Sequence, residues 1–352
     1  MEANTPYESR CSGVAFHPET TAFFKDRVVA VTGGTGFIGS HVVEQLLSLK
    51  ARPIVVSKKS QTRFLRHVAN KLQLRSCDLE SYECTYDALE GASVVLNLAA
   101  KVAGLQYNAR HSASIFHSNM QMFLNVIRAA GELKVDRFLV TSSACVYPRN
   151  CSIPTPEEEG FADEPEPTNS GYGWAKRMQE YLAAQYAREF GLSVAIARPY
   201  NAYGPRDNFD PESSHVIPAL IRKAFETTNG FLHVWGDGSH SRSFLYVDDF
   251  ARGLLEVAAR YPEADPVNLG ANEETSLRDL ATSIASIVAK VRGVPIQPEF
   301  QPEGLTGQPR RRCDTRKADR LLGFQTRIGL SEGLRRTVEW FANESRPLPA
   351  HV

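Results

Sequence analysis

Tyr172 and Lys176, four residues apart in Tyr172-Gly173-Trp174-Ala175-Lys176, put a phenol and an ammonium on one face of a helix. A phenol ordinarily ionises only near a pH of about 10, and a neighbouring cation pulls that value toward the working range. Ser143, in Thr141-Ser142-Ser143, follows the apolar run Arg137–Val140 and brings a hydroxyl toward the same substrate oxygen. These three residue types suit proton transfer at a carbonyl or alcohol.

A second cluster, Gly33-Gly34-Thr35-Gly36-Phe37-Ile38-Gly39, follows the apolar run Val28–Thr32 and opens an amphipathic stretch. Glycines at intervals of three permit a tight turn, let a pyrophosphate approach bare backbone, and aim a helix N-terminus at its charge. Gly33, Gly36 and Gly39 are assigned to those tasks, with Thr35, Phe37 and Ile38 as further cofactor contacts. The next apolar run, Ile54–Val56, ends in Ser57 and Lys58. An acid at that place grips the ribose of NAD, whereas a cation receives the 2′-phosphate of NADP. The expected cofactor is therefore NADP, with NAD possible. Asp78 and Leu79 fall where a loop after a third strand meets the adenine.

Positioning these groups requires a parallel sheet. Short β-branched runs at 28–32, 54–56, 94–97, 137–141 and 192–197 alternate with amphipathic stretches at 39–49, 118–133 and 172–190. That alternation predicts an α/β fold, a doubly wound parallel (Rossmann) sheet with a second, smaller α/β C-terminal lobe. The expected division is an N-terminal extension at 1–26, a dinucleotide-binding domain at 27–203 to which 244–262 returns, and a substrate lobe made of 204–243 and 263–345. The two lobes share one cleft, where open α/β sheets bind ligands.

Lys plus Arg equals Asp plus Glu at 40 each, so no surplus positive field draws the chain to nucleic acid or to an anionic membrane. There is no long apolar run and no signal-like N-terminus, which points to a cytoplasmic protein. The six cysteines, Cys11, Cys77, Cys84, Cys145, Cys151 and Cys313, show no C-x-x-C spacing, so neither a disulfide framework nor a metal site is expected.

With the glycine loop, Ser143, Tyr172 and Lys176 in place, the chain resembles the extended short-chain dehydrogenase/reductase family of NAD-dependent epimerase/dehydratase type from Val28 to Phe341. Asn97-Leu98-Ala99-Ala100, Asn119, Arg198-Pro199-Tyr200-Asn201 and Arg242–Asp249 add to the likeness. The resemblance implies a nicotinamide-dependent enzyme acting on a nucleoside-diphosphate sugar, with Ser143, Tyr172 and Lys176 catalytic. It places Ala99, Ala100 and Tyr200 at the cofactor and Asn201, Lys223, Trp235, Arg242, Arg310 and Arg311 at the substrate. It also implies a homodimer paired through the two long helices.

Within the family, Ser143-Ala144-Cys145-Val146-Tyr147-Pro148 is similar to the GDP-L-fucose synthase and GDP-mannose 3,5-epimerase groups, where that cysteine moves protons beside a 4-keto carbon. Sugar-nucleotide 4,6-dehydratases carry an acid pair where Ala144 and Cys145 stand, so dehydration is not expected. The stretch Asp207–Pro218 resembles the fucose synthases and implies that His215 is the second proton donor; the epimerases place a lysine there, and this stretch has none. The implied reaction on an NDP-4-keto-6-deoxyhexose is C3/C5 epimerisation by Cys145 and His215, then reduction at C4. The alternative is a redox-neutral epimerase with tightly bound NAD.

Overall fold

The chain first lays down six of the seven strands of its main sheet: β1 (Val28–Thr32), β2 (Arg52–Ser57), β3 (Gln73–Ser76), β4 (Val94–Asn97), β5 (Arg137–Thr141) and β6 (Val194–Pro199). The remaining strands are β7 (Ala202–Tyr203), β8 (Phe231–Trp235), β9 (Ser241–Arg242), β10 (Leu245–Tyr246), β11 (Glu263–Leu269), β12 (Thr275–Ser276), β13 (Gln297–Gln301) and β14 (Arg310–Arg311). This computed structural model describes residues 14–58, 62–102, 104–301 and 308–344; the first thirteen residues of the expected extension lie outside the described residues.

The main sheet is parallel, in the order β11-β6-β5-β4-β1-β2-β3. Its strands read as continuous apolar runs because helices cover both faces. Alternate side chains divide between two cores: Val29, Val31, Leu139 and Ala195 enter one, while Ala30, Phe138, Val140 and Ile196 enter the other. From β1 the chain winds outward through β2 and β3, then returns to the far side of β1 as β4. The crevice outside the carboxyl ends of β1 and β4 is thus a topological switch point, where ligands bind in open α/β sheets.

A smaller lobe packs helices Val216–Glu226, Leu277–Arg292 and Leu330–Glu344 around Ile217, Leu232, Val234, Ile284 and Leu334. Its short strands pair as β8 with β13 and as β12-β9-β14. Helix Val247–Arg260 packs beneath β5 and β6 and joins the lobes. Its Asp249 accepts hydrogen bonds from the backbone N–H groups of Arg327 and Ile328 at 2.8 and 2.9 Å and pairs with Arg252 at 2.8 Å.

Two expected boundaries are corrected. Residues 263–269 were assigned to the smaller lobe, yet they form edge strand β11 of the main sheet. Pro266 and a register shift between Glu263 and Pro266 break the strand pattern, which an edge position tolerates. The expected extension also contributes to the main core: helix Pro18–Phe24 buries Phe24 completely, and Thr20 donates to Glu256 at 2.5 Å. Among the described residues no helix is long and apolar enough to cross a membrane.

Candidate active site

At the switch point the glycine loop is set by backbone contacts. Gly33 has a φ of +68°, and a Cβ on it would lie 3.1 Å from the Ala99 Cα atom, so the β1 and β4 loops touch only because that residue lacks a side chain. Gly39 is more constrained: a Cβ there would run into the Gly33 carbonyl oxygen and lie 2.7 Å from the Gly34 Cα atom. Gly36 caps helix Phe37–Ser48 without a side-chain hydrogen bond, leaving the helix N-terminus open. Thr32 pins the two loops together, donating to Asn97 Oδ1 at 2.8 Å and accepting from the Leu98 and Ala99 N–H groups at 3.0 Å each. Phe37, Ile38, Ala99 and Ala100 are half-buried around this opening. The cradle fits a dinucleotide pyrophosphate, since the uncapped N-terminus of helix Phe37–Ser48 opens at the switch point beside a loop packed backbone on backbone.

At the end of β2, Ser57 Oγ lies 2.7 Å from Thr35 Oγ1. Lys58 reaches across to Asp78 at 2.6 Å, with both side chains well exposed. The hydrogen bond to Lys58 holds the Asp78 carboxyl below the usual range, and Asp78 raises Lys58 in return. Leu79 differs from expectation: its side chain is buried in a sheet core. Tyr200 differs as well, being 1% exposed and packed with Tyr147 and Cys313 while its N–H donates to Leu269 at 2.8 Å. Its ring faces the core because β6 ends there, directly beside β11.

Ser143, Cys145, Tyr172 and Lys176 come together beyond the carboxyl end of β5. Ser143 caps the short turn Ala144–Val146, its hydroxyl accepting from the Cys145 N–H at 3.1 Å. Tyr172 and Lys176 lie one turn apart in helix Ser170–Phe190, with Nζ 5.5 Å from the phenol ring centroid. Lys176 Nζ donates to the Thr141 carbonyl at 2.7 Å and to Gln179 Oε1 at 3.1 Å. Burial lowers Lys176 to about 8, against weaker opposing pulls from Glu180 and Cys145. Tyr172 moves opposite to the expectation: burial, reinforced by Cys145, raises it, the cost of taking a phenolate out of water outweighing the nearby ammonium.

The Cys145 sulfur is half-buried, 2.9 Å from Asn169 Nδ2 and 3.9 Å from a terminal nitrogen of Arg311. Arg311 on β14 stands in register with Arg242 on β9. Burial lowers Arg242 to about 10, and the charge of Arg311 lowers it further in the same direction. Two guanidinium groups held side by side are the kind of pair that suits an anion with two negative charges. Arg310 is a correction to this group: it points to the opposite side and pairs with Glu274 through both oxygens, at 2.9 and 2.6 Å. Asn201 commits its amide N–H to the Ser243 carbonyl at 2.7 Å. Lys223 lies 4.6 Å over the ring of Trp235, which is 55% exposed.

His215 caps helix Val216–Glu226 through its backbone, and its side chain reaches solvent. Partial loss of hydration lowers its imidazole below the ordinary histidine value. The structure does not put His215 in hydrogen-bond contact with Cys145. It connects them through one wall: the Ser214 carbonyl packs at Gly104, the helix Leu105–Arg110 that follows carries Asn108, Asn108 bonds Asn169, and Asn169 bonds Cys145.

Residues given no site role from sequence brace this arrangement. Arg198 forms a two-pronged pair with Glu180 at 2.8 and 2.7 Å and reaches Tyr147 at 3.1 Å, while Ser142 donates to Glu180. Asn169 and Asn108 are further unanticipated neighbours of the thiol. A carboxamide three residues before Tyr172 was the only trace of them in the sequence. Among the described residues, no group of three or more His, Cys, Asp or Glu side chains could hold a metal ion.

Residues 29–270 match the NAD dependent epimerase/dehydratase family. The chain belongs to that family and is an NAD(P)-dependent enzyme. It is 32% identical over 317 residues to the probable GDP-L-fucose synthase 1 of Oryza sativa subsp. japonica, covering 89% of this chain and 91% of that one. The UDP-glucose 4-epimerase of Thermotoga maritima, solved with UDP-glucose, superposes with a TM-score of 0.80 at 28% identity over 91% of this chain and 100% of that chain. A GDP-L-fucose synthetase of Naegleria fowleri bound to NADP gives a TM-score of 0.76 at 28% identity, over 91% of this chain and 94% of that chain.

Proposed function

We propose that this chain epimerises an NDP-4-keto-6-deoxyhexose at C3, C5 or both and then reduces C4, as a GDP-L-fucose synthase does. The observation that carries the reading is the Cys145 thiol, set within electrostatic reach of Tyr172 and Lys176 and between the donors Asn169 and Arg311. A carbon beside a ketone is acidic, and inverting it takes a base on one face and an acid on the other. Cys145 as thiolate accepts the C–H proton while the electron pair moves to the C4 oxygen. There the Tyr172 phenol and the Ser143 hydroxyl hold the developing charge by hydrogen bonds. His215, whose ring has no hydrogen-bond partner among the described residues, delivers a proton to the opposite face. Tyr172 then gives its proton to the C4 oxygen, and Lys176 stabilises the phenolate left behind. Bound NADPH supplies the hydride that reduces C4.

Arg242 and Arg311 are assigned to the substrate diphosphate, and Trp235 with Lys223 to its base. The GDP-L-fucose synthase similarity and the NADP-bound relative support a GDP sugar and NADP. Lys58 supports the same cofactor, since its exposed pair with Asp78 can open to a 2′-phosphate. A homodimer through helices Ser112–Glu132 and Ser170–Phe190 accords with the exposed apolar rings of Phe116 and Tyr181 on them.

The test is incubation with GDP-4-keto-6-deoxymannose in deuterated water, with and without NADPH. Deuterium at C3 or C5, with NADPH consumed in proportion to product, is the expected result. Turnover of a parent GDP sugar with no added NADPH would instead establish the redox-neutral epimerase, and no exchange into any 4-keto sugar would end both readings.

A further inference from the structure

The thiol that does acid-base work in the proposed reaction has a supporting pair of carboxamides which no motif assigns. Asn169, at the entrance of helix Ser170–Phe190, puts Nδ2 at 2.9 Å from the Cys145 sulfur. Its other end is fixed: Asn169 Oδ1 accepts a hydrogen bond from Asn108 Nδ2 at 2.6 Å. Asn108 is 6% exposed and sits in helix Leu105–Arg110, which packs on the turn holding Asn169.

The direction of this chain of bonds follows from what each amide can do. With Asn108 donating, Asn169 has only N–H groups left to face the sulfur, which is the arrangement a thiolate needs. The buried Asn108 Oδ1 then has no hydrogen-bond partner. Turning both amides would offer Asn169 Oδ1 to an S–H and satisfy Asn108 Oδ1, but it would orphan an Asn108 N–H. A lone buried donor is rarer in folded proteins than an under-satisfied carbonyl. The orientation shown thus favours the ionised sulfur, and the turned one serves the sulfur once it has taken the substrate proton.

We propose that Asn169, held by Asn108, is a positioning residue that keeps Cys145 ionised and aimed while the thiol is waiting for the sugar. The other charged or titratable groups facing this sulfur are Tyr172 and Lys176 from helix Ser170–Phe190 and Arg311 from β14. Of these, the protonated phenol is neutral, Lys176 is a cation, and the Arg311 guanidinium stands 3.9 Å away. Asn169 supplies the one short donor. The inference rests on the proposed acid-base role of Cys145 for its purpose, but its physical content does not.

The experiment is alkylation of the intact protein by iodoacetamide, with Cys145 labelling followed by mass spectrometry across a pH series. In Asn169→Asp, an isosteric acceptor with a repelling charge, labelling at neutral pH is expected to slow about tenfold or more, as losing a hydrogen bond to a charged group implies. At high pH, where every accessible thiol is ionised, the rates should converge to within about twofold. Asn108→Ala, which frees the Asn169 amide to turn, should show a smaller slowing of about threefold with the same convergence. A deficit equal at all pH values would mean that Asn169 controls only access, and unchanged labelling in Asn169→Asp would overturn the proposal outright. NADPH affinity near that of the unmodified protein identifies a folded variant, and Asn169→Ser gives a second, milder loss of the donor should Asn169→Asp fail to fold. Loss of the labelling difference leaves the sugar reaction standing; persistence of deuterium exchange in Cys145→Ser would remove the acid-base role of the thiol while leaving the labelling result intact.

Discussion

The two ends of the cleft are made in different ways. The cofactor end is backbone: Gly33, Gly36 and Gly39 contribute by lacking side chains, and the one hydroxyl that matters, that of Thr32, holds backbone N–H groups in place. The sugar end is side chain: a thiol, a phenol, an imidazole and two guanidiniums arrive from five separate segments of sequence. A backbone site fails when an atom is added and a side-chain site fails when one is removed. The opposite signs of these failures make the difference testable.

The largest effect is expected at the sugar end. Cys145→Ser removes the acid-base group, and general acid-base catalysis contributes about 100- to 10,000-fold, so deuterium exchange should fall by about a thousandfold. NADPH affinity should stay within about twofold. Measured exchange and a fluorescence titration check the pair of numbers, and equal loss of both would make the thiol a structural one.

Gly39→Ala reverses the pattern. The added methyl would meet the Gly33 carbonyl and the Gly34 Cα atom, backbone atoms that cannot swing aside, so the cradle must open. We expect NADPH binding to weaken by about a hundredfold, with the unfolding free energy from urea titration lowered by a core-type steric cost of about 1–3 kcal/mol. Solvent exchange at the sugar, assayed at saturating cofactor, should be spared by comparison. An alanine enzyme that binds NADPH normally would show that the loop yields elsewhere.

The same division governs what could be read from the sequence. The glycine loop and the Tyr172, Lys176 and Ser143 group were legible because their spacings match a helix turn or a strand end, which are local features. Asn108, Asn169 and the Arg198–Glu180 pair were not, because their partners lie across loops whose course depends on tertiary packing. Arg310 was grouped with Arg311 by composition, yet β14 is a strand, and successive side chains on a strand point to opposite faces. The lysine expected to lower Tyr172 is outweighed by burial of the phenol, which depends on tertiary packing. Glu263–Leu269 hid its strand character behind Pro266, a residue that only an edge position accommodates.

That alternation supplies the next comparison. Arg242 faces the sulfur side beside Arg311, whereas Arg310 is held away by Glu274, whose carboxyl the Arg310 fork draws down to about 2. Arg242→Gln should raise the KM for the sugar nucleotide by about thirtyfold, in line with the loss of a charge-assisted pair to phosphate. Arg310→Gln should change it by less than about threefold, as befits an exposed ion pair. Equal effects would mean that both arginines turn toward the diphosphate when it binds.

The smallest effect is expected where the cofactor end departs from its backbone rule. Lys58 is a charged side chain in a site built mainly of backbone, and it is exposed and already paired with Asp78. A 2′-phosphate must compete with that carboxylate in high dielectric, where such pairs are weak and screened by salt. Lys58→Ala should therefore weaken NADPH binding only about fivefold at low ionic strength, leave NADH binding unchanged, and lose most of its effect in concentrated salt. Asp78→Asn should act the other way, freeing the ammonium and tightening NADPH about twofold. If Lys58→Ala weakened both cofactors equally, the lysine would be holding the loop and the 2′-phosphate would be read elsewhere, by Ser57 and Thr35, whose hydroxyls already meet at 2.7 Å beside the same strand end.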